Sequence, residues 1–262
     1  YAGSTIYTGP PARARWIERF TVYAPQLRVK ERAVSVYLPP DYATSGKSYP
    51  VIYLQDGISN FSAISGGSNV DGALEQLFAS GEIEGVIAVA VEASGYRWDE
   101  YSPWYNYYMR SVWYAWTPNT VEGGEGDAYV HFLVDTLKPV IDSRYRTLPD
   151  REHTAIGGSS MGGLIALYGA IQYPNVFSKV MALSPAVWFA EAGGYWLQNN
   201  RLLKSPFLLS SYFQDGYSFK DVDYFLYIVS IEWSGRRLWL RDSRVRLMSY
   251  PRVWLEGANA VY

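Results

Sequence analysis

A five-residue run, Gly158-Ser159-Ser160-Met161-Gly162, constrains this chain more than any other feature. It has the form G-x-S-x-G. A short strand pattern, Thr154-Ala155-Ile156-Gly157, leads into it, and a helical one, Gly162 to Tyr173, follows without a gap. A serine at so abrupt a strand-to-helix turn is a nucleophile elbow. Side chains at the flanking glycines would collide with their neighbours, and the serine is expected to be held under strain at the tip. Its Oγ then stands at the N-terminus of the helix, where the dipole and free N–H groups favour developing negative charge. The Met161 N–H is the natural first oxyanion donor. A plain glycine-rich turn with an ordinary serine is the competing reading, and the strand and helix on either side weigh against it.

The remaining segments repeat the same rhythm. Ala33 to Leu38 alternates as a strand and stops at Pro39-Pro40. Pro50 to Leu54 and Gly85 to Val91 are short apolar runs of the kind that form parallel strands buried on both faces. Asp71 to Ala79 has helical spacing, with an acidic start and Gly81 as a stop. Gly126 to Ile141 reads as a helix with Tyr129, Phe132, Leu133 and Leu137 along one stripe, bent or ended by Pro139. Lys179 to Leu183 and Tyr224 to Ile231 are further strands. Strands alternating with helices require crossover connections, so the expected class is α/β, a mostly parallel central sheet with helices on both faces. One domain over residues 1–262 accommodates this, with 1–32 as an N-terminal extension or edge strand.

Composition excludes several chemistries. There is no cysteine, hence no disulfide, thiolate catalysis or Cys-ligated zinc. A formal net charge of −2 gives no electrostatic reason to expect nucleic acid as a partner. No run of 18 apolar residues suggests a membrane span. The chain opens at Tyr1 without Met or an apolar leader, which reads as a processed or trimmed form, and a secreted or periplasmic location is favoured over a cytoplasmic one. Aromatics reach 17%, and Gly95 to Trp116 holds ten of them in 22 residues. This loop, 95–125, either packs on its own rings or forms an apolar wall over a cleft.

Asp150 to Leu164, with the elbow inside it, resembles an esterase family of α/β-hydrolases that includes enterochelin esterases, feruloyl esterases and mycobacterial mycolyltransferases. The resemblance continues through Tyr173-Pro174-Asn175-Val176-Phe177 and Ser184-Pro185-Ala186-Val187-Trp188. Upstream it takes in Val36 to Tyr42, Tyr53-Leu54-Gln55-Asp56-Gly57, Arg97, and Glu100-Tyr101-Ser102-Pro103, covering about residues 33 to 189. It implies an α/β-hydrolase fold and cleavage of a carboxylic ester, or acyl transfer on the same scaffold, with no metal or organic cofactor. It also implies a second oxyanion N–H from Ile58, and substrate contacts at Arg97 and Trp188. The aromatic loop hints at an apolar, aryl or glycan-linked small-molecule ester.

A serine hydroxyl needs an adjacent base, and the base needs an orienting acid. In this fold the order along the chain is Ser, acid, His. Only two histidines occur, His131 and His153; both precede Ser160, and both read as structural. Glu232, just past the expected strand Tyr224 to Ile231, is the acid that the resemblance implies, with Asp223 and Asp242 as lesser choices. The family's histidine would fall at Ala260, or at Asn259 with a one-residue shift. The chain is therefore an inactivated variant, a natural protein that has lost catalysis, or one whose C-terminal residues depart from the natural ones. In the first two cases it would act as a binding module on the same scaffold.

Overall fold

The computed structural model describes residues 5–6, 17–61, 67–106, 121–183, 185, 186, 189, 223–234 and 237–245. Trp188, Asn259 and Ala260, all invoked above, lie outside them. The strands are β1 (Thr5–Ile6), β2 (Ile17–Tyr23), β3 (Glu31–Tyr37), β4 (Val51–Gln55), β5 (Ile87–Val91), β6 (Tyr105–Asn106), β7 (Glu122–Gly123), β8 (Thr154–Ser159), β9 (Lys179–Leu183), β10 (Asp223–Ser234) and β11 (Arg237–Val245). Nine form one sheet in the order β1-β2-β3-β5-β4-β8-β9-β10-β11, and β6 pairs with β7 in a small ribbon. Pairing is parallel from β5 through β4, β8 and β9 to β10, and antiparallel at both margins. The N-terminal region thus supplies antiparallel edge strands.

Helices cover both faces. They are α1 (Tyr42–Ser45), α2 (Val70–Ala79), α3 (Arg97–Glu100), α4 (Gly126–His131), α5 (Lys138–Arg144) and α6 (Met161–Gln172). The period of two in β5 separates two cores: Ile87, Val89 and Val91 join Tyr129, Phe132, Leu133, Ile141 and α6, while Ala88 and Ala90 join Leu54 and Phe61, with Val70 and Leu74 of α2 against them. Helix α6 is buried along its whole length except Gln172, as a helix apolar all round must be. None of the described helices is long and apolar enough to cross a membrane.

Pro139 does not end its helix, which runs on to Arg144. Between α4 and α5 runs a π-helical segment, Phe132–Leu137, in which the Lys138 N–H reaches back to Leu133 O. Pro139 then occupies the first turn of α5, where a missing N–H costs little. The wider turn spares the ring the clash with the preceding turn that a continuous α-helix would impose.

Burial pushes the hydroxyls of Tyr53, Tyr101 and Tyr129 well above the ordinary tyrosine range. In the folded state they hold protons that the unfolded chain releases near pH ~10. Stability should therefore be flat in pH below that value and fall as pH rises above it. Denaturant midpoints measured alongside tyrosinate ultraviolet absorbance check this: ionisation of these residues should coincide with unfolding. Gly158→Ala would set a Cβ 2.6 Å from the main-chain carbon and oxygen of Gly162. Its expected cost is about 1–3 kcal/mol in chemical denaturation, the range for overpacking.

Candidate active site

Strand β8 is central, flanked by β4 and β9, and Ser160 follows it directly. Ser160 has φ 55° and ψ −120°, a conformation L-residues seldom adopt. Three main-chain bonds hold it there: its N–H donates to Leu183 O at 2.9 Å, and its carbonyl accepts the N–H groups of Leu164 at 3.0 Å and Ala186 at 2.9 Å. The side chain is exposed at the tip. Met161, buried behind it, opens α6, so its N–H has no acceptor within the helix. The flanking glycines are required by contact, because a Cβ at Gly162 would lie 2.9 Å from Gln55 Cβ and 3.0 Å from Asp56 Oδ2.

Those contacts bring the loop after β4 against the elbow. Asp56 (φ 70°) and Gly57 (φ 60°) are both left-handed, and Gly57 opens a single 3-10 turn, Gly57–Asn60. The loop is tied down at each step. Asp56 N–H donates to Tyr101 Oη at 3.0 Å, and Arg97 grips the Asp56 carboxylate through Nε at 2.5 Å and Nη2 at 2.9 Å. Asn60 Nδ2 donates to the carbonyls of Gln55 (2.6 Å) and Gly57 (2.8 Å). Burial works against the Arg97 cation, but the hydrogen bond and charge of Asp56 outweigh it and raise the guanidinium pKa. Arg97, expected from the sequence as a substrate contact, holds Asp56 in this way, with its side chain 28% exposed.

Behind the loop lies a buried polar chain. Tyr129 Oη donates to Gln55 Oε1, and the Tyr101 and Tyr129 rings pack at 5.0 Å between centroids. The α3 turn that carries Arg97 ends at Glu100, which is fully buried. Glu100 takes Arg32 through two bonds of 2.6 and 3.1 Å, from Nη2 to Oε1 and from Nη1 to Oε2. Ile58, expected as the second oxyanion donor, gives its N–H to Glu92 Oε2 at 3.2 Å. Neither Glu92 nor the two tyrosines follow from motif spacing; only the Glu100-Tyr101-Ser102-Pro103 run pointed towards one of them.

The described rings of the aromatic stretch pack on partners outside it. Tyr101 is buried in the core, Trp98 stacks on Phe189 at 5.5 Å, and Trp104 meets Tyr168 edge-on at 5.6 Å. Ala186, whose N–H bonds to the Ser160 carbonyl, accepts the Phe189 N–H, and the Phe189 and Tyr168 rings are buried in the core; Tyr96 and Tyr105 are exposed. Residues 107–120 lie outside the described ones.

Among the described residues, no histidine and acid come together beside Ser160. His131 pairs with Asp135 at 3.0 Å, exposed on α4 and edge-on to Tyr173. His153 pairs with Asp150 at 2.8 Å, at the far end of β8 from Ser160, and this hydrogen bond lowers the Asp150 pKa. Glu232 is inside β10, opposite Trp239 of β11, and not past a strand end, because the alternating apolar pattern runs on through Trp233. Ser159 is level with Leu183, and Leu183 with Tyr227, so Glu232 stands five residues, about 17 Å, further along the strand. The sheet register does not bring Glu232 to Ser160. Asp223 opens β10, level with Lys179, and Asp242 lies within β11.

A family model described as "Putative esterase" matches residues 28–213. The Bacillus subtilis protein YbbA is 28% identical over 161 residues, covering 62% of this chain and 59% of YbbA. The siderophore triacetylfusarinine C esterase of Aspergillus fumigatus is 26% identical over 153 residues, 57% of this chain and 48% of that enzyme. Among solved structures, an IroE-like serine hydrolase from Shewanella oneidensis superposes with a TM-score of 0.62 at 24% identity, over 80% of this chain and 60% of that one. The chain thus spans about half to three fifths of the length of these relatives. With its elbow, its sheet order and a family match over most of its length, the chain belongs to the Putative esterase family and has the α/β-hydrolase fold.

Proposed function

We propose that this chain is built to cleave a carboxylic ester through an acyl-enzyme on Ser160. The observation that carries the reading is Ser160 itself, exposed, in a left-handed conformation, at the N-terminus of a twelve-residue buried helix. Ser160 Oγ attacks the ester carbonyl, the Met161 N–H takes the oxyanion, and Ile58 N–H is the second donor. The serine proton passes to the leaving oxygen, which departs as the alcohol; water then attacks the acyl-serine, releasing the acid and returning a proton to Ser160 Oγ. Arg97 acts by fixing Asp56 and the donor loop. No acid is assigned, since the β10 register argues against Glu232.

The substrate reading follows the relatives and the aromatic composition of the stretch after β5. The Aspergillus relative is by name a siderophore esterase, and the exposed Tyr96 with the partly buried Trp98 and Trp104 would suit an aryl or otherwise apolar group. A side-by-side screen of acetyl, long-chain acyl and feruloyl esters should favour the feruloyl ester; equal rates on all three would count against an aryl site.

A second reading, a binding module on the same scaffold, is favoured by the two histidines, each tied to an aspartate away from Ser160. The two readings separate by experiment. A serine-directed fluorophosphonate followed by peptide mapping should give one adduct, on Ser160, absent from Ser160→Ala; no adduct would support the binding module. With no base, ester turnover should lie about 10⁶-fold below that of an intact triad. An ordinary turnover number would mean that the C-terminal residues supply a base.

A further inference from the structure

The Ile58 N–H, second donor in the proposed mechanism, is already taken. Glu92 Oε2 accepts it at 3.2 Å, and Glu92 Oε1 takes Arg19 Nη2 at 3.0 Å. The carboxylate is seated in the hollow left by Gly57, where an added Cβ would lie 1.5 Å from Oε2. Four strands converge to build this seat. Arg19 comes from β2, Glu92 from the residue after β5, and Gly57-Ile58 from the loop after β4; Arg32 of β3 reaches the Glu92 carbonyl at 3.4 Å. Both partners of the Arg19–Glu92 pair are about one-third exposed, so the carboxylate can move without crossing the core.

An N–H donated to a carboxylate is not available to an oxyanion, and a carboxylate that close repels the charge that develops there. We propose that Glu92 is a latch on the oxyanion hole. In the resting state it holds the Ile58 donor, and acylation requires the carboxylate to leave Ile58 while Arg19 retains it. Glu92 acts through Ile58 and does not touch the reacting atoms, so it is a positioning residue. The latch rests on the reading of Ser160 as nucleophile and Ile58 as donor. The opposite role, a prop that merely supports the loop, predicts the opposite sign on removal.

The sign is measurable on the full chain. Fluorophosphonate labelling of Ser160 should be roughly tenfold or more faster in Glu92→Ala than in wild type, a fraction of the 10²–10³ that one oxyanion donor is worth. Amide hydrogen exchange at Ile58 should quicken in the same variant. Glu92→Gln, which keeps the shape but loses the charge, should label faster than wild type and carries the test if the alanine variant does not fold. Labelling in either folded variant that is equal to or slower than wild type would overturn the latch. Wild type labelled with no acceleration in the variants would sink the latch alone. No labelling in any form would sink the nucleophile reading and the latch with it.

Discussion

Ser160 occupies a backbone conformation that costs a non-glycine residue of order 1–3 kcal/mol, and three main-chain hydrogen bonds keep it there. Those bonds join different parts of the fold. One runs to the end of β9, one into the first turn of α6, and one to the segment at Ala186. The strain at one residue thus sets where β8, β9 and α6 meet. Glycines at 158 and 162 follow from the same closeness, since a side chain at either would enter the opposing backbone or Gln55.

The loop after β4 is the second half of the same arrangement. Its consecutive left-handed residues hold because polar groups from distant parts of the chain converge on it: Tyr101 and Arg97 from the α3 region, and Glu92 from just after β5. Behind it the Arg32–Glu100 pair is almost wholly buried, and Arg32 Nε has no partner among the described residues. Buried ion pairs of this kind seldom add net stability. Here the pair fixes the short turn that presents Arg97, and it does so from β3, two strands away from β4 in the sheet.

The fold was legible because its signals are local. Apolar runs gave β4, β5 and β9 to within two or three residues, and the G-x-S-x-G run gave the elbow together with the helix behind it. The loop chemistry was not legible, because its partners lie far apart in sequence: Ile58 and Glu92, Asp56 and Tyr101, Gln55 and Tyr129 meet only once the sheet has formed. The strand end placed before Glu232 was misread for a physical reason. An apolar alternation ending at Ile231 looks like a strand end, but pairing with β11 carries the ladder on through Ser234.

The π-helical segment, Phe132–Leu137, does more than make room for Pro139. Tyr129 and Ile141, twelve residues apart, would point about 120° away from each other on an uninterrupted α-helix. Both are fully buried in one core. Absorbing one residue in the wider turn brings them back to within about 20°. The segment therefore works as a phase adjuster. It lets the half-helix that carries Tyr129 aim a hydroxyl at Gln55 while the half that carries Ile141 stays anchored. Losing one residue here would leave a regular helix and turn Tyr129 away from Gln55, so a length change far from Ser160 would reach the polar chain behind the β4 loop.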